Sequence, residues 1–294
     1  MRTRQLGAGL LELMVALAVG MLVITGAVNL YLHTIHASEQ QQALSDIQAR
    51  GRLVTRLLSE ELRRTGYWGR ELTPYLDNAA DLPAISHDEL LQPVWAGSLA
   101  QAEQKHLIPG SATLTRVDTD ATLPARVLVV RYVRSDDAQG SCFRMSGHEL
   151  QLMPGTSCSD RYYAALYYLR DVSDAAEGHV PALMMRQLDE NGAWTNSSEV
   201  VRGVEALSLE WGLDSDRDGT ANRYVTDDLV SDWNAVVSVR LFIVLRSPAL
   251  HSHVNALPLR LSGKAITLDD QRLRRVFVTT VTMRNARARL REGS

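Results

Sequence analysis

The run from Gly7 to Leu32, GAGLLELMVALAVGMLVITGAVNLYL, constrains this chain more than any other stretch. About 20 apolar residues span a bilayer as a helix, and this run is that long. It carries one charge, Glu12, near its start, and the basic leader before it holds Arg2 and Arg4 but no acid. A secretory signal peptide has an apolar core of about 7–15 residues that ends in small residues. The run here is longer and bears a carboxylate, so a cleaved signal or a plain anchor explains it incompletely. An ionisable group at the centre of a spanning helix costs at least ~2.5 kcal/mol and usually has a partner and a function. The basic leader puts the N-terminus in the cytoplasm and the body outside.

The leader MRTRQLG followed by Ala8-Gly9-Leu10-Leu11-Glu12-Leu13 resembles the class III leader of type IV pilins and pseudopilins. The resemblance implies cleavage by a prepilin peptidase between Gly7 and Ala8 and N-methylation of Ala8, with Glu12 fifth in the mature chain. Ala8 stands where Phe or Met is usual, and Gly9 where Ser or Thr is usual. It also implies a docking role for Glu12. An α-amine titrates near ~8 and is cationic at neutral pH, so one subunit's terminus can neutralise Glu12 of its neighbour.

Beyond the apolar run, Ala43, Leu44, Ile47, Val54, Leu57, Leu58 and Leu62 recur mostly at spacings of three and four, which is one face of a helix. Arg50, Arg52, Arg56, Glu60, Glu61, Arg63 and Arg64 mostly supply its wet side. A helix from Ala8 to Thr65 would be roughly 87 Å long at ~1.5 Å per residue. Gly66 is its expected stop, and Gly20, Gly26 and Gly51 are expected weak points where it could bend. Pro74, Pro83, Pro93, Pro109 and Pro124 punctuate the stretch that follows. It reads as loops with short helices at 88–91 and 98–106 and a strand at 112–116.

From Ala125 the pattern turns to strands: 127–134, a hairpin of 142–145 and 149–153, then 162–170, 182–188, 200–212, 233–246 and 274–287. Asn191-Gly192 marks a turn. On the last strand Val276, Val278, Thr280 and Thr282 share one side. Strands without alternating helices favour an antiparallel sheet. The expected class is α+β, a long N-terminal transmembrane and amphipathic helix packed on an antiparallel β-sheet, as the pilin resemblance also implies. The expected organisation is a leader at 1–7, a stem helix at 8–66 with 8–32 in the membrane, a variable insert at 67–124 and a β-sheet body at 125–294. The insert is either a partner-binding surface or simple packing around the sheet.

Asp214-Ser215-Asp216-Arg217-Asp218-Gly219 matches the first half of a calcium loop, with alternate carboxylates, a glycine for the sharp bend and the Thr220 carbonyl as the next ligand. Position twelve of that pattern is Val225 and not a bidentate acid, so Asn222, or Asp227 and Asp228 folding back, would have to complete the shell. A solvated Asp-Gly turn is the competing reading. Cys142 and Cys158 flank the predicted hairpin in an exported body, and a disulfide there would contribute ~3 kcal/mol. His251-Ser252-His253, His33 and His36 read as solvated or interfacial. The sequence holds no nucleophile elbow, Walker A loop, zinc-protease motif or dinucleotide fingerprint. A net charge of −3 argues against a nucleic-acid surface.

The segment Val201-Arg202-Gly203-Val204-Glu205-Ala206-Leu207, the Asp-rich loop after it and the tail from Arg274 to Asn285 resemble the PilW group of minor pilins. That resemblance implies a non-enzymatic subunit of a type IV pilus tip or priming complex. Its implied partners are other minor pilins, a tip adhesin, the prepilin peptidase and the inner-membrane assembly platform. Its implied location is the inner membrane with a periplasmic body, then the pilus. A J-type pseudopilin of type II secretion and, more remotely, a membrane-tethered enzyme or sensor are the alternatives.

Overall fold

The computed structural model describes residues 9–69, 75–76, 87–108, 123–134, 141–146, 149–153, 161–175, 178–250, 259–261, 264–266 and 272–285. The chain divides into two compact units, Met1–Asp46 and Ile47–Ser294. Helix α1 (Leu10–Arg64) is unbroken, close to the expected 8–66.

In the first unit the apolar side chains of α1 point outward on all sides; Leu10 is 83% exposed and Leu22 74%. An 18-residue window here has a mean hydropathy of 2.3, and none of it is buried. A helix apolar all round belongs in lipid or among other helices. The Thr25 and Thr34 hydroxyls donate to the carbonyls of Met21 and Leu30, so neither polar group is stranded on this surface. Gly20 and Gly26 do not interrupt the helix.

In the second unit α1 buries Ile47, Gly51, Val54, Leu58, Ser59 and Leu62, a stripe at helical spacing, while Leu53 stays exposed. Gly66 ends the helix at φ 76°, the left-handed conformation that glycine adopts without a Cβ penalty. Its N–H donates to the Arg131 carbonyl at 2.9 Å.

The larger sheet follows. Its elements are β1 (Tyr75–Leu76), α2 (His87–Leu90), β2 (Val94–Ser98), α3 (Leu99–Gln104), β3 (Arg126–Arg134), β4 (Ser141–Ser146), β5 (Glu149–Met153), β6 (Arg161–Asp174), β7 (Gly178–Gln187) and β8 (Ser198–Arg202). Eight strands pair in the order β1-β5-β4-β6-β3-β2, with β7 beside β6 and β8 beside β7. All pairs are antiparallel except β1 with β5. Both short helices stand close to where the sequence puts them, and α3 carries a Ser98–Gln101 capping box. The strand expected at 112–116 lies outside the described residues.

The insert is partly built into this sheet. Strand β2, absent from the sequence reading, pairs with β3, and Trp68 stacks on Tyr162 with ring centroids 6.1 Å apart. Trp95, Leu99, Ala102, Val127, Leu166 and Tyr168 close one core cluster around these elements.

The expected strand 200–212 is two strands in two sheets. Gly203, at φ 82°, separates β8 from β9 (Val204–Leu213). Strands β9, β10 (Arg223–Val225), β11 (Val236–Leu250) and β14 (Arg272–Thr282) form a four-stranded antiparallel sheet in the order β10-β9-β11-β14. Strands β12 (Leu259–Leu261) and β13 (Lys264–Ile266) pair separately. On β14, Val278, Thr280 and Thr282 face out, as their shared side suggests, whereas Val276 of the same set is half-buried and packs on the cluster of Leu123, Ala206, Val244 and Leu261, and Val281 is buried.

The second half of α1 touches both sheets. Glu61 meets Tyr132 of β3, and Gly51 lies against Phe277 of β14. Gly51 is therefore a contact point and not the expected bend. A Cβ on Gly51 would sit 2.0 Å from Phe277 Cζ. Gly51→Ala is expected to destabilise the protein by ~1–3 kcal/mol, as overpacked cores do, and Gly51→Ala/Phe277→Leu to recover part of that loss in urea unfolding. An unchanged midpoint for the single variant would refute this packing.

Candidate functional site

Gly7 and Ala8 lie outside the described residues. Glu12 occupies the first turn of α1, its N–H bonded to the Gly9 carbonyl at 2.9 Å. Its side chain is exposed among Leu11, Leu13 and Met14, and among the described residues no cation pairs with it.

The other end of α1 differs from the expected pattern. Glu61, expected on the wet side, turns inward, and the Tyr132 hydroxyl lies 3.2 Å and 3.3 Å from its two oxygens and donates to the carboxylate. Its neighbour Glu60 does stay in water, paired with Arg56 at 2.8 Å. Tyr132 packs on Tyr163 with centroids 4.8 Å apart, and the Arg134 guanidinium lies 4.9 Å from the Tyr163 ring centre. Burial pushes the Glu61 carboxyl above its ordinary value, against the Tyr132 hydrogen bond and the charges of Arg64 and Arg134. Burial likewise pushes the phenols of Tyr132, Tyr163 and Tyr167 upward, so they act as neutral donors and not as general bases.

Asn285 completes this end of the helix. Its Nδ2 donates to the carbonyls of Arg63, Arg64 and Thr65 at 3.4, 3.2 and 3.2 Å. These are among the carbonyls that a helix terminus leaves without partners. No sequence signal marks that role, because the carbonyls and the amide are more than two hundred residues apart in the chain.

The Asp-rich loop places its three alternate aspartates as the spacing implies. One carboxylate oxygen each from Asp214, Asp216 and Asp218 lie within 4.8 Å of one another. Asp214 is buried and accepts from the N–H groups of Arg217 and Gly219, both at 2.7 Å. Asn222 Nδ2 donates to Asp216 at 3.2 Å, which holds that carboxyl below its ordinary value. Asn222 Oδ1 accepts from the Ser215 N–H, so Asn222 closes the loop upon itself. Thr220 donates its N–H to Asp218 at 2.6 Å. Among the described residues Asp214, Asp216 and Asp218 are the acid, histidine or cysteine side chains that converge closely enough to share a cation. Asp227 does not fold back. It is buried against Arg126 at 3.3 Å, and burial raises its carboxyl. Asp228 is exposed on the short helical turn Asp227–Leu229, outside the group.

Of the expected disulfide, Cys158 and the Cys142 side chain lie outside the described residues, as do His251 and His253. His36 is exposed, 3.8 Å from Glu39.

Residues 166–285 match PilW, the family described as Type IV Pilus-assembly protein W. The PilW match runs from within β6 to Asn285, so it takes in the Gly203 junction, the Asp loop and the helix-capping amide. No curated protein matches the chain. Among solved structures, the type IV-like pilin TTHA1219 from Thermus thermophilus is similar at 12% identity and a TM-score of 0.39, over 83% of this chain and 97% of that one.

The position of Glu61 gives a pH dependence of known sign. Burial holds its folded-state pKa above the ordinary carboxylate value, so the cost of its ionised form is absent below that ordinary value and complete once pH has risen through the folded value. Glu61→Gln is therefore expected to be more stable than wild type at pH 7 and to match it near pH 4, in urea unfolding across that range. A constant difference between the two proteins at every pH would contradict the assignment.

Proposed function

We propose that this chain is a minor pilin, a structural subunit of a type IV pilus that works in the tip or priming complex. The observation that carries the reading is the stretch of α1 from Leu10 to Leu32, apolar on every side with the single carboxylate Glu12, in a chain whose residues 166–285 match PilW. An ionised carboxylate in that setting calls for a cation from outside the chain. The methylated amine of a neighbouring subunit, exposed by cleavage between Gly7 and Ala8, fits that need. The stem then bundles with other minor pilins and a tip adhesin, and the body supplies side contacts. The chain first sits in the inner membrane with its body in the periplasm, engages the assembly platform and then enters the pilus.

The test is N-terminal sequencing of the protein from membranes of wild type, of Glu12→Val and of a strain without prepilin peptidase. The expected mature chain begins at Ala8 only when the peptidase is present, and Glu12→Val is cut but missing from sheared pili. A chain left whole, or cut elsewhere by ordinary signal peptidase, would reduce the stem to an anchor.

The same reading gives the Asp214 loop a structural calcium ion held by Asp214, Asp216, Asp218 and the Thr220 carbonyl. Support comes from the three converging carboxylates, which repel one another without a cation. Millimolar calcium is expected to raise the melting temperature and the amide protection of the loop, and Asp216→Ala to abolish both effects. If calcium changes neither in the wild type, the loop is a self-bonded turn.

A further inference from the structure

We propose that the cavity beside the last turn of α1 is a recognition pocket for a side-chain carboxylate on an acidic peptide segment of a partner protein. The cavity measures about 410 Å³ and is lined by Arg63, Arg64, Tyr67, Tyr132, Arg134 and Asn285, with Val133 between the strand residues.

Three guanidiniums border one small space. Arg63 and Arg64 come from the end of α1 and Arg134 from the end of β3. The acid that answers Arg64 and Arg134, Glu61, does not line the cavity; it lies behind the Tyr132 hydroxyl. Among the described residues no salt bridge joins Arg63 to an acid: Glu60, whose charge it feels, is paired with Arg56 at 2.8 Å. The negative end of the helix dipole would ordinarily repel an anion at this place. Here the carboxamide of Asn285 donates to three of the terminal carbonyls, which weakens that opposition beside the cavity.

The walls decide the kind of anion. Guanidinium forks match the planar, two-oxygen geometry of a carboxylate. Tyr67 is 43% exposed and, with Tyr132 and Val133, adds aromatic and aliphatic surface that a bare inorganic ion does not use. Tyrosine with arginine is the combination enriched at the energetic centres of protein interfaces. The pocket is compact and the chain carries net charge −3, so it lacks the extended basic stripe that a nucleic-acid backbone requires. The inference goes beyond the pilus reading and stands on the cavity alone.

The test uses the full-length chain in detergent micelles and three probes: acetyl-Glu-Glu-Glu-amide, acetyl-Gln-Gln-Gln-amide and inorganic phosphate. Binding is measured by calorimetry at two salt concentrations. The glutamate peptide is expected to bind, the glutamine peptide not to bind, and the affinity to fall with salt. Arg63→Ala is expected to weaken the glutamate peptide by ~10-fold or more, the loss typical of a charge-assisted hydrogen bond. Tyr67→Ala is expected to weaken it as well. Arg52→Ala, an exposed arginine on the same helix outside the cavity, is expected to leave it unchanged. No binding of the glutamate peptide, or an equal loss with Arg52→Ala, overturns the proposal. Tighter binding of phosphate than of the peptide overturns it in favour of a phosphate site.

Discussion

The body of this protein depends on one contact, the second half of α1 laid across two sheets. A sheet with one wet face and one apolar face needs a cover, and here a single helical stripe serves two of them. Val54, Leu58 and Leu62 are fully buried, and Gly51 lets the helix approach the Phe277 ring of the smaller sheet. On the larger sheet the matching point is polar, Glu61 against Tyr132. A carboxylate at such a place gives direction that an apolar contact lacks, because the hydroxyl must find it.

The two sheets also meet at Gly203, where the chain leaves one and enters the other. The Gly203 N–H donates to the Pro181 carbonyl and its own carbonyl accepts from the Arg246 N–H. A Cβ there would meet the Arg246 carbonyl at 3.0 Å, so close approach and positive φ both require glycine. Around the junction Arg274 grips Glu205 with two bonds, at 2.6 and 3.0 Å, while Arg246 reaches the same carboxylate at 3.7 Å and the His179 carbonyl at 3.1 Å. Buried ionic groups add little net stability, and removal of one partner is costly. The arrangement ties β7, β9, β11 and β14 to one carboxylate.

The sequence showed what periodicity and local chemistry encode. The stem, its stop at Gly66, the hairpin of β4 and β5, the long strands β6 and β11 and the turn at Gly192 all follow from apolar spacing and from glycine where φ is positive. The α+β class followed from the same pattern. The Asp214 loop was legible because its three converging carboxylates are neighbours in the chain. What remained hidden depends on distant partners. A five-residue strand such as β2 has too little pattern of its own and exists because β3 offers an edge. The break at Gly203 is invisible in a run of apolar residues, since β8 and β9 have the same composition and differ only in the sheet they join. Glu61 looks like any helix-face acid until Tyr132 is beside it, and Asn285 looks like any tail amide until it meets the carbonyls of α1.

The way α1 ends has a mechanical consequence. Its last turn is fastened to the larger sheet by the Gly66 N–H on the Arg131 carbonyl and to the segment after β14 by three bonds from one amide. Tension applied along the helix reaches two separate sheets at one point, and the fastenings near that point share it in parallel. Bonds loaded together must break together, whereas a helix held only by an apolar stripe could peel away one turn at a time. The C-terminal end of α1 is thus held within the body from two sides.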